Sequence, residues 1–376
     1  MTLLIFLLVL SFLVIIHELG HFLTAIWMKV RVEEFGVGFP PRLATLFKWR
    51  GIPFTLNALP FGGFVKMDGE DEPESDSKKA KSKNEVGPFY SKSKRARLLI
   101  LLAGVTINFV FGVLAFATIY TVMGIPEPST LPKIDYVAEG SPAQTAGIQA
   151  SDVFTAVIEQ QEDGSQVRQE FSSSQEFIDH INSRLGQSVT IELQRNEEVI
   201  TVNSYARPPE ERSAEEGAMG VSFQNVEFVF YPGWQRPFRG MWVGIQQSIA
   251  LSVMILKAFG DMITQIFTQA RFPEGVAGPV GIVHQAGKLG LFQQGFLTIL
   301  NFAGMLSINL AILNALPLPA FDGGRAVMVL LETVIGKKTR AQIENKLNYV
   351  GVALLIGLMI LITLNDVSVI VTDWWK

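Results

Sequence analysis

The feature that most constrains this chain is an apolar segment near its start, Leu3 to Met28, which contains three ionisable residues. About 20 apolar residues in a helix cross the hydrocarbon core of a bilayer, so the segment predicts a transmembrane helix at residues 1–28. The ionisable residues lie close together, in the sequence His17-Glu18-Leu19-Gly20-His21. Because ionisable groups in lipid are costly, such a cluster inside a span indicates a functional site.

Two histidines spaced four residues apart suit a zinc ion. Side chains at i and i+4 lie on the same face of a helix, where His17 and His21 can bind one ion, and Glu18 can act as general base on a water bound to it. A cleaved signal peptide is a poorer interpretation, because the segment lacks a basic start and stays apolar to Trp27. A packed pair of core histidines is the other alternative, which the membrane setting and a second motif disfavour.

The composition excludes several classes of protein. The chain has 376 residues, of which 48% are hydrophobic, and its mean hydropathy is +0.30. These values predict an integral membrane protein with room for one soluble domain. The chain contains no cysteine, which excludes thiol catalysis, disulfides and cysteine-ligated metal. Any metal must therefore be held by histidines and carboxylates.

The apolar segments predict four core transmembrane helices, at residues 1–28, 98–123, 296–324 and 346–366. Residues 29–97 contain 14 Lys and Arg against 9 Asp and Glu, whereas residues 125–235 contain 6 against 18. By the positive-inside rule the first of these segments is cytoplasmic and the second is external. This topology places both termini outside.

A further apolar segment, Trp242 to Phe267, admits two interpretations. Polar residues interrupt it, which favours a helix lying along the outer interface within residues 238–290. The alternative is a fifth span. A fifth crossing would invert the spans that follow and place Asp322 on the opposite side of the membrane from His17 and His21, so we favour the interfacial helix.

The cytoplasmic segment at residues 29–97 divides into two parts. Residues 53–67 combine strand-prone residues with Pro and Gly-Gly, which predicts a β-hairpin whose apolar character associates it with the membrane. Residues 68–94 are rich in Asp, Glu, Ser and Lys, a composition that predicts a flexible loop.

A second motif completes the predicted site. The third span ends in a sequence that runs from Asn314 through Pro317 and Pro319 to Asp322-Gly323-Gly324. Prolines and glycines break a helix, and irregular backbone at membrane depth survives only beside protein or a water-filled cavity. The first and third spans run in the same direction, so Asp322 can share the depth of the two histidines.

Two histidines and one carboxylate leave a fourth position for water, as a catalytic zinc site requires, and the predicted chemistry is amide hydrolysis. A helix-terminating Asp-Gly turn is the alternative for Asp322 considered by itself.

These motifs resemble the site-2 protease family of intramembrane zinc metalloproteases, in the bacterial branch typified by the regulator-of-sigma-E protease. The resemblance rests on His17 to His21, Asn314 to Gly324, Pro60 to Met67 and Gly278 to Ile282. It implies that His17, His21 and Asp322 bind Zn²⁺, that Glu18 is the base, and that Asn314 holds the substrate backbone. Asn108 stands where the family has an asparagine near the active site, which implies a second substrate-binding amide.

The resemblance also implies substrates, partners and location. The substrates are single-pass transmembrane proteins, such as anti-sigma factors trimmed by an upstream site-1-type protease, or remnant signal peptides. The protein then resides in the bacterial cytoplasmic (inner) membrane, with its active site near the cytoplasmic side. The hairpin pairs with an extended substrate strand through Phe61, Gly62, Gly63, Phe64 and Val65. Simple membrane anchoring of the hairpin is the alternative.

Residues 130–207 resemble a bacterial protease-associated PDZ domain, with Ser151 where glycine is usual. The complete predicted fold is an α-helical polytopic membrane protein with a membrane-associated β-hairpin and an inserted extracytoplasmic PDZ (α+β) domain. The PDZ domain either binds peptide tails or, as we favour, excludes substrates with bulky external domains. Its acidity gives no reason to expect nucleic acid, and His180 and His284 are expected to be ordinary surface or interface residues. The competing function is a non-catalytic PDZ-bearing adaptor with a structural zinc.

Overall fold

The computed structural model describes residues 1–70, 86–129, 131–160, 165–213, 216–224, 226–269 and 278–374. Most of the loop predicted to be flexible at residues 68–94 lies outside the described residues. The chain forms two compact units: Met1–Val122 with Gly233–Lys376, and Met123–Pro232.

In chain order the helices are α1 (Thr2–Trp27), α2 (Lys94–Met123), α3 (Pro142–Thr145), α4 (Ser174–Asn182), α5 (Arg236–Gln269), α6 (Pro279–Lys288), α7 (Phe296–Ala315), α8 (Asp322–Ile335) and α9 (Lys337–Trp374). The strands are β1 (Val32–Trp49), β2 (Ile52–Met67), β3 (Ile125–Pro128), β4 (Ile134–Val137), β5 (Val153–Gln160), β6 (Gln166–Glu170), β7 (Ser188–Arg195), β8 (Glu198–Tyr205), β9 (Val221–Phe223) and β10 (Val226–Val229).

Five helices in the first unit are long and apolar enough to cross a membrane: α1, α2, α5, α7 and α9. The chain is thus a polytopic membrane protein. Four of these helices overlap the four predicted spans. The fifth, α5, covers the segment Trp242 to Phe267, which was predicted to be either an interfacial helix or a fifth span. The predicted third span is shorter than expected, because α7 ends at Ala315 and Asp322 begins a separate helix.

Glycines allow the apolar helices to approach closely, as is common in membranes. A Cβ on Gly20 of α1 would lie 2.6 Å from the carbonyl oxygen of Ala103 on α2. Gly112 of α2 lies against Ile308 of α7. The Phe6 ring of α1 lies 6.2 Å from Phe302 near the start of α7. Since His17 meets Asp322 beyond the other end of α7, α1 and α7 run in the same direction.

Helix α5 packs against the C-terminal half of α2. A Cβ on Gly240 would lie 2.7 Å from the carbonyl oxygen of Ala117, and one on Gly244 would lie 2.8 Å from that of Val113. Farther along α5, Leu251 and Ile255 belong to a hydrophobic cluster with Leu297 and Leu300, at the start of α7. The C-terminal half of α2 and the start of α7 lie at the same end of the helix bundle.

The β-hairpin is larger than its predicted bounds. Residues 53–67 were expected to form a hairpin by themselves, but they belong to a single strand, β2, which pairs antiparallel with β1. The turn lies at Arg50-Gly51, where Gly51 has φ +84°. Stacked aromatic rings explain this pairing, since Phe54 of β2 lies 5.0 Å from Phe35 and 4.5 Å from Phe47 of β1.

The break between α7 and α8 places Asp322 at the first turn of a new helix. A Cβ on Gly323 would collide with the carbonyl of Ala315, and one on Gly324 would collide with the carbonyl of Leu318. A Cβ on Gly351 of α9 would lie 2.5 Å from Cβ of Pro319. The Gly-Gly pair after Asp322 is therefore required for the backbone to turn this tightly.

A buried ion pair joins α2 to α8. The guanidinium of Arg97, 2% exposed, donates from Nη2 to Oε1 of Glu332 at 2.8 Å, and its Nη1 forms an ion pair with Oε2 at the same distance. We expect Glu332→Gln to destabilise the first unit by about 3–5 kcal/mol, because it leaves the charge of Arg97 buried without a counter-ion. Thermal unfolding in detergent measures this loss. The matched control is Glu33→Gln, which removes an exposed ion pair with Lys66 and should cost at most about 1 kcal/mol; equal losses would contradict the prediction.

The second unit contains a four-stranded antiparallel sheet in the order β6-β5-β7-β8. Its hydrophobic core includes Phe154 of β5, Phe177 of α4 and Leu193 of β7. Ser151, the residue that departs from the usual glycine, has φ +74°, a backbone conformation that glycine adopts without strain. The next residue, Asp152, accepts two hydrogen bonds from Arg195 and raises the pKa of that guanidinium.

Candidate metal centre

The side chains of His17, His21 and Asp322 meet in the first unit. Nε2 of His17 lies 3.0 Å from Oδ2 of Asp322, Nε2 of His21 lies 3.2 Å from the same oxygen, and the two Nε2 atoms are 3.1 Å apart. Both histidines are buried, with 8% and 6% exposed. Ligand atoms around a tetrahedral zinc ion lie about 3.3 Å apart. The three side chains therefore have the separation and the chemistry to hold one zinc ion.

Helix α2 carries none of the three candidate ligands, yet its residues contact the Nδ1 atom of each imidazole, on the side away from Asp322. Nδ1 of His21 donates to the carbonyl oxygen of Ile100 at 2.8 Å, which leaves the lone pair of Nε2 directed at Asp322. Nδ1 of His17 lies 3.4 Å from Nδ2 of Asn108, whose side chain is completely buried. Such outer contacts orient imidazole ligands and select the tautomer that binds metal.

Gly104 of α2 lies directly against the ring nitrogens of the two histidines. A Cβ at this position would lie 2.7 Å from Nε2 of His17 and closer still to Nε2 of His21. A side chain at residue 104 would therefore occupy the volume between the two nitrogen atoms and α2. The lack of a side chain at residue 104 is therefore what allows α2 to pack this closely against both imidazoles.

A cavity of about 460 Å³ adjoins the centre. Its lining includes the three candidate ligands, Glu18 and the predicted substrate-binding residues Asn108, Asn314, Gly62, Gly63, Phe64 and Val65. A Cβ on Gly63 would lie 3.4 Å from Cγ of Glu18, so β2 passes directly beside the predicted base. Phe61 belongs to the same strand, but its side chain is outside the described part of the structure.

Two further charged residues, Glu70 and Arg325, line the cavity, and neither was predicted from the sequence to be a site residue. Arg325 forms ion pairs with Glu70, at the end of the hairpin, and with Glu344 of α9. The sequence could have indicated Arg325, because it directly follows the Asp322-Gly323-Gly324 motif and lies one helical turn after Asp322. His180 and His284 lie elsewhere: Nε2 of His180 is 3.0 Å from Glu159 in the second unit, and His284 belongs to α6.

Comparisons with known proteins extend over nearly the whole chain. A family model described as "Peptidase family M50" matches residues 5–358. A Rickettsia conorii protein named "Putative zinc metalloprotease" is 31% identical over 369 residues, covering 96% of this chain and 97% of the relative. "Zinc metalloprotease RasP" of Oceanobacillus iheyensis is 27% identical over 441 residues, covering 98% and 99%. The protein of the same name in Shouchella clausii is 28% identical over 446 residues, with the same coverage.

Proposed function

Because this chain belongs to peptidase family M50, whose members are site-2-type zinc metalloproteases, we propose that it hydrolyses peptide bonds within the transmembrane helices of single-pass membrane proteins. The chain is a zinc-dependent intramembrane protease, and the proposal concerns its substrates, site residues and mechanism. The observation that carries the proposal is a candidate metal centre, a glutamate and a cavity together within apolar helices.

The proposed zinc ligands are His17, His21 and Asp322. Their ligand atoms all lie within 4.8 Å of one another, and Gly104 allows α2 to pack against both imidazoles. Two imidazoles and one carboxylate form a donor set typical of catalytic zinc, which leaves one coordination position for water or substrate. That position would face the cavity, in contrast to the closed ligand set of a structural zinc in the adaptor alternative.

In the proposed mechanism, zinc supplies Lewis acidity, which polarises the scissile carbonyl and makes a water molecule easier to deprotonate. Glu18 accepts the proton of the attacking water and transfers a proton to the departing amine nitrogen. The side-chain amide of Asn314, which lines the same cavity, can donate to a substrate carbonyl. The apolar helices around the cavity restrict the entry of other waters.

An extended substrate segment would pair with β2. A transmembrane helix hides its peptide bonds in its own hydrogen bonds, and each backbone group freed in lipid costs several kcal/mol unless it finds a new partner. Residues Gly62 to Val65 line the cavity, and β2 pairs with β1 on one side in a two-stranded sheet. Addition of a substrate strand at the other edge of β2 would supply the missing hydrogen bonds.

The distal half of the hairpin suits membrane association, which was the alternative role. Leu43, Leu46 and Phe47 of β1 are each more than half exposed, an unusual number of apolar side chains for a hairpin in water. The two roles therefore divide along the hairpin. Its distal end would anchor in the membrane, and residues 62–65 would hold the substrate.

For the topology we propose four core spans, with α5 as a helix lying along the outer interface. The contacts of α5 support this arrangement, because Gly240 and Gly244 pack on the C-terminal half of α2 and Leu251 clusters with the start of α7. With residues 29–97 in the cytoplasm, the zinc centre lies toward the cytoplasmic side of the inner membrane, and both termini lie outside.

The proposed extracytoplasmic PDZ domain, at residues 130–207, lies within the second unit. Its acidic composition supports an external location under the same topology. We favour a role in excluding substrates until a site-1-type protease has trimmed their external domains. A cavity of about 390 Å³ beside α4 and β9 is large enough for peptide side chains, so peptide binding is the second candidate role.

The experiment that tests the proposed function uses purified protein and a panel of tagged single-pass helices, with and without a zinc chelator. We expect product masses that locate cleavage inside the apolar segment, loss of cleavage on chelation, and recovery when zinc is restored. Binding of the helices without any cleavage by the zinc-loaded protein would favour the adaptor. Cleavage only outside the apolar segments would contradict an intramembrane substrate.

A further inference from the structure

One face of α2 carries three features directed at the two histidines. They are the carbonyl oxygen of Ile100, the close approach of the backbone at Gly104 and the side chain of Asn108, and they recur every four residues. Residues at this spacing lie along one side of a helix. Ile100 provides a hydrogen-bond acceptor for His21, and Asn108 occupies the corresponding position beside His17.

The hydrogen bonds of Asn108 indicate which end of its amide faces His17. If Nε2 of His17 binds metal through its lone pair, Nδ1 carries the proton and requires an acceptor. Oδ1 of Asn108 is buried without a hydrogen-bond partner, while Nδ2 lies 3.4 Å from Nδ1 of His17. Rotating the terminal amide by half a turn exchanges two groups of nearly equal size. In the rotated amide, Oδ1 of Asn108 takes the place of Nδ2 and can accept the proton on Nδ1 of His17.

The backbone at Asn108 is also held in place. The hydroxyl of Ser307 on α7 donates to the carbonyl oxygen of Asn108 at 2.8 Å. This contact fixes the turn of α2 that carries Asn108 against the helix leading to Asp322. The amide can therefore orient an imidazole accurately, because its own main chain cannot shift freely.

We infer that Asn108 is a positioning residue, whose amide oxygen accepts the Nδ1 proton of His17 and holds that imidazole in its metal-binding tautomer. The inference rests on the proposed function, because it requires His17 to be a zinc ligand. It replaces the expectation that Asn108 binds substrate directly. In that earlier role the amide nitrogen would donate to a substrate carbonyl, and the affinity for zinc would not depend on the residue.

Two substitutions at Asn108 distinguish a role as hydrogen-bond acceptor for His17 from a role as donor to the substrate. Asn108→Leu retains the approximate shape of the side chain but removes the acceptor, and loss of such an outer contact typically weakens metal binding about 10- to 100-fold. Asn108→Asp keeps an acceptor but removes the NH₂ donor, and carboxylate–histidine–metal arrangements are common. Zinc affinity is measured by competition between the metal-free protein and a chromophoric chelator. Cobalt substitution adds a visible spectrum that reports the geometry of the ligands.

We expect Asn108→Leu to lose zinc affinity and change the cobalt spectrum, and Asn108→Asp to bind zinc as tightly as the wild type or more so. Asn301→Leu is the matched control, because Asn301 is exposed on α7, and it should behave as the wild type. Normal zinc binding by Asn108→Leu would overturn the inference. If that variant does not fold, Asn108→Asp decides the question, since zinc binding ten times weaker than wild type would overturn it.

The outcomes also distinguish this inference from the proposed function. A wild-type protein that binds zinc but cleaves no transmembrane helix would contradict the proposed function alone. A wild-type protein that does not bind zinc would overturn both. An increase in KM for Asn108→Leu with unchanged zinc affinity would return Asn108 to the substrate-binding role and overturn the inference.

Discussion

Glu18→Gln should reduce cleavage of a transmembrane substrate by about 10²- to 10⁴-fold, the usual contribution of a general base. Glutamine has nearly the same size as glutamate but cannot accept the proton of the attacking water. Glu18 lies outside the group formed by His17, His21 and Asp322, so zinc content should not change. Single-turnover cleavage in detergent, with metal analysis of the same samples, measures both quantities.

The control for this experiment is Glu33→Gln, which makes the same chemical change at an exposed ion pair. It should leave cleavage near the wild-type rate. Wild-type cleavage by Glu18→Gln would remove Glu18 from the mechanism. Loss of zinc together with activity would instead indicate that Glu18 contributes to the metal centre itself.

Gly104→Ala should remove most of the bound zinc and with it the activity. The added methyl group would lie 2.7 Å from Nε2 of His17 and closer to Nε2 of His21, and neither imidazole can retreat without leaving Asp322. Overpacking a dense site typically costs about 1–3 kcal/mol, or about 5- to 150-fold in affinity, and a clash with two ligand atoms belongs at the upper end. Zinc retained after dialysis against a weak chelator measures the effect.

The matched control is Gly357→Ala in α9, where an added Cβ meets no atom within 4 Å. Both substitutions raise helix propensity by a similar amount, about 1 kcal/mol, so a difference between them reports the clash. Equal zinc retention in the two variants would show that residue 104 does not limit the space at the centre. Thermal unfolding of the metal-free proteins identifies any general loss of stability.

Local sequence patterns were sufficient to predict several elements. The bounds of α1 differ from its predicted span by one residue at each end, because a continuous apolar segment in a helix has few alternatives. The meeting of His17 with His21 follows directly from helical periodicity. The approach of Asp322 to both histidines also agrees with expectation, although it required the assumption that two spans run in the same direction.

Other features depend on contacts between distant residues. Residues 53–67 contain a turn-like Gly-Gly pair, but stacking of Phe54 between Phe35 and Phe47 favours one continuous strand. The break before Asp322 was apparent from its prolines, whereas no local pattern indicates the close approach of Gly351 in α9 to Pro319. Likewise, no local pattern pairs Arg97 with Glu332, which are separated by 235 positions.

The metal centre joins residues that are 305 positions apart in the chain. At a translation rate of about 5–20 residues per second, the ribosome adds Asp322 about 15–60 s after His17. During that interval the nascent chain already contains Glu18 and both histidines, but it lacks the proposed third ligand. Under the proposed ligand set, hydrolytic activity thus arises late in biosynthesis, and a chain whose synthesis stops before Asp322 is inactive.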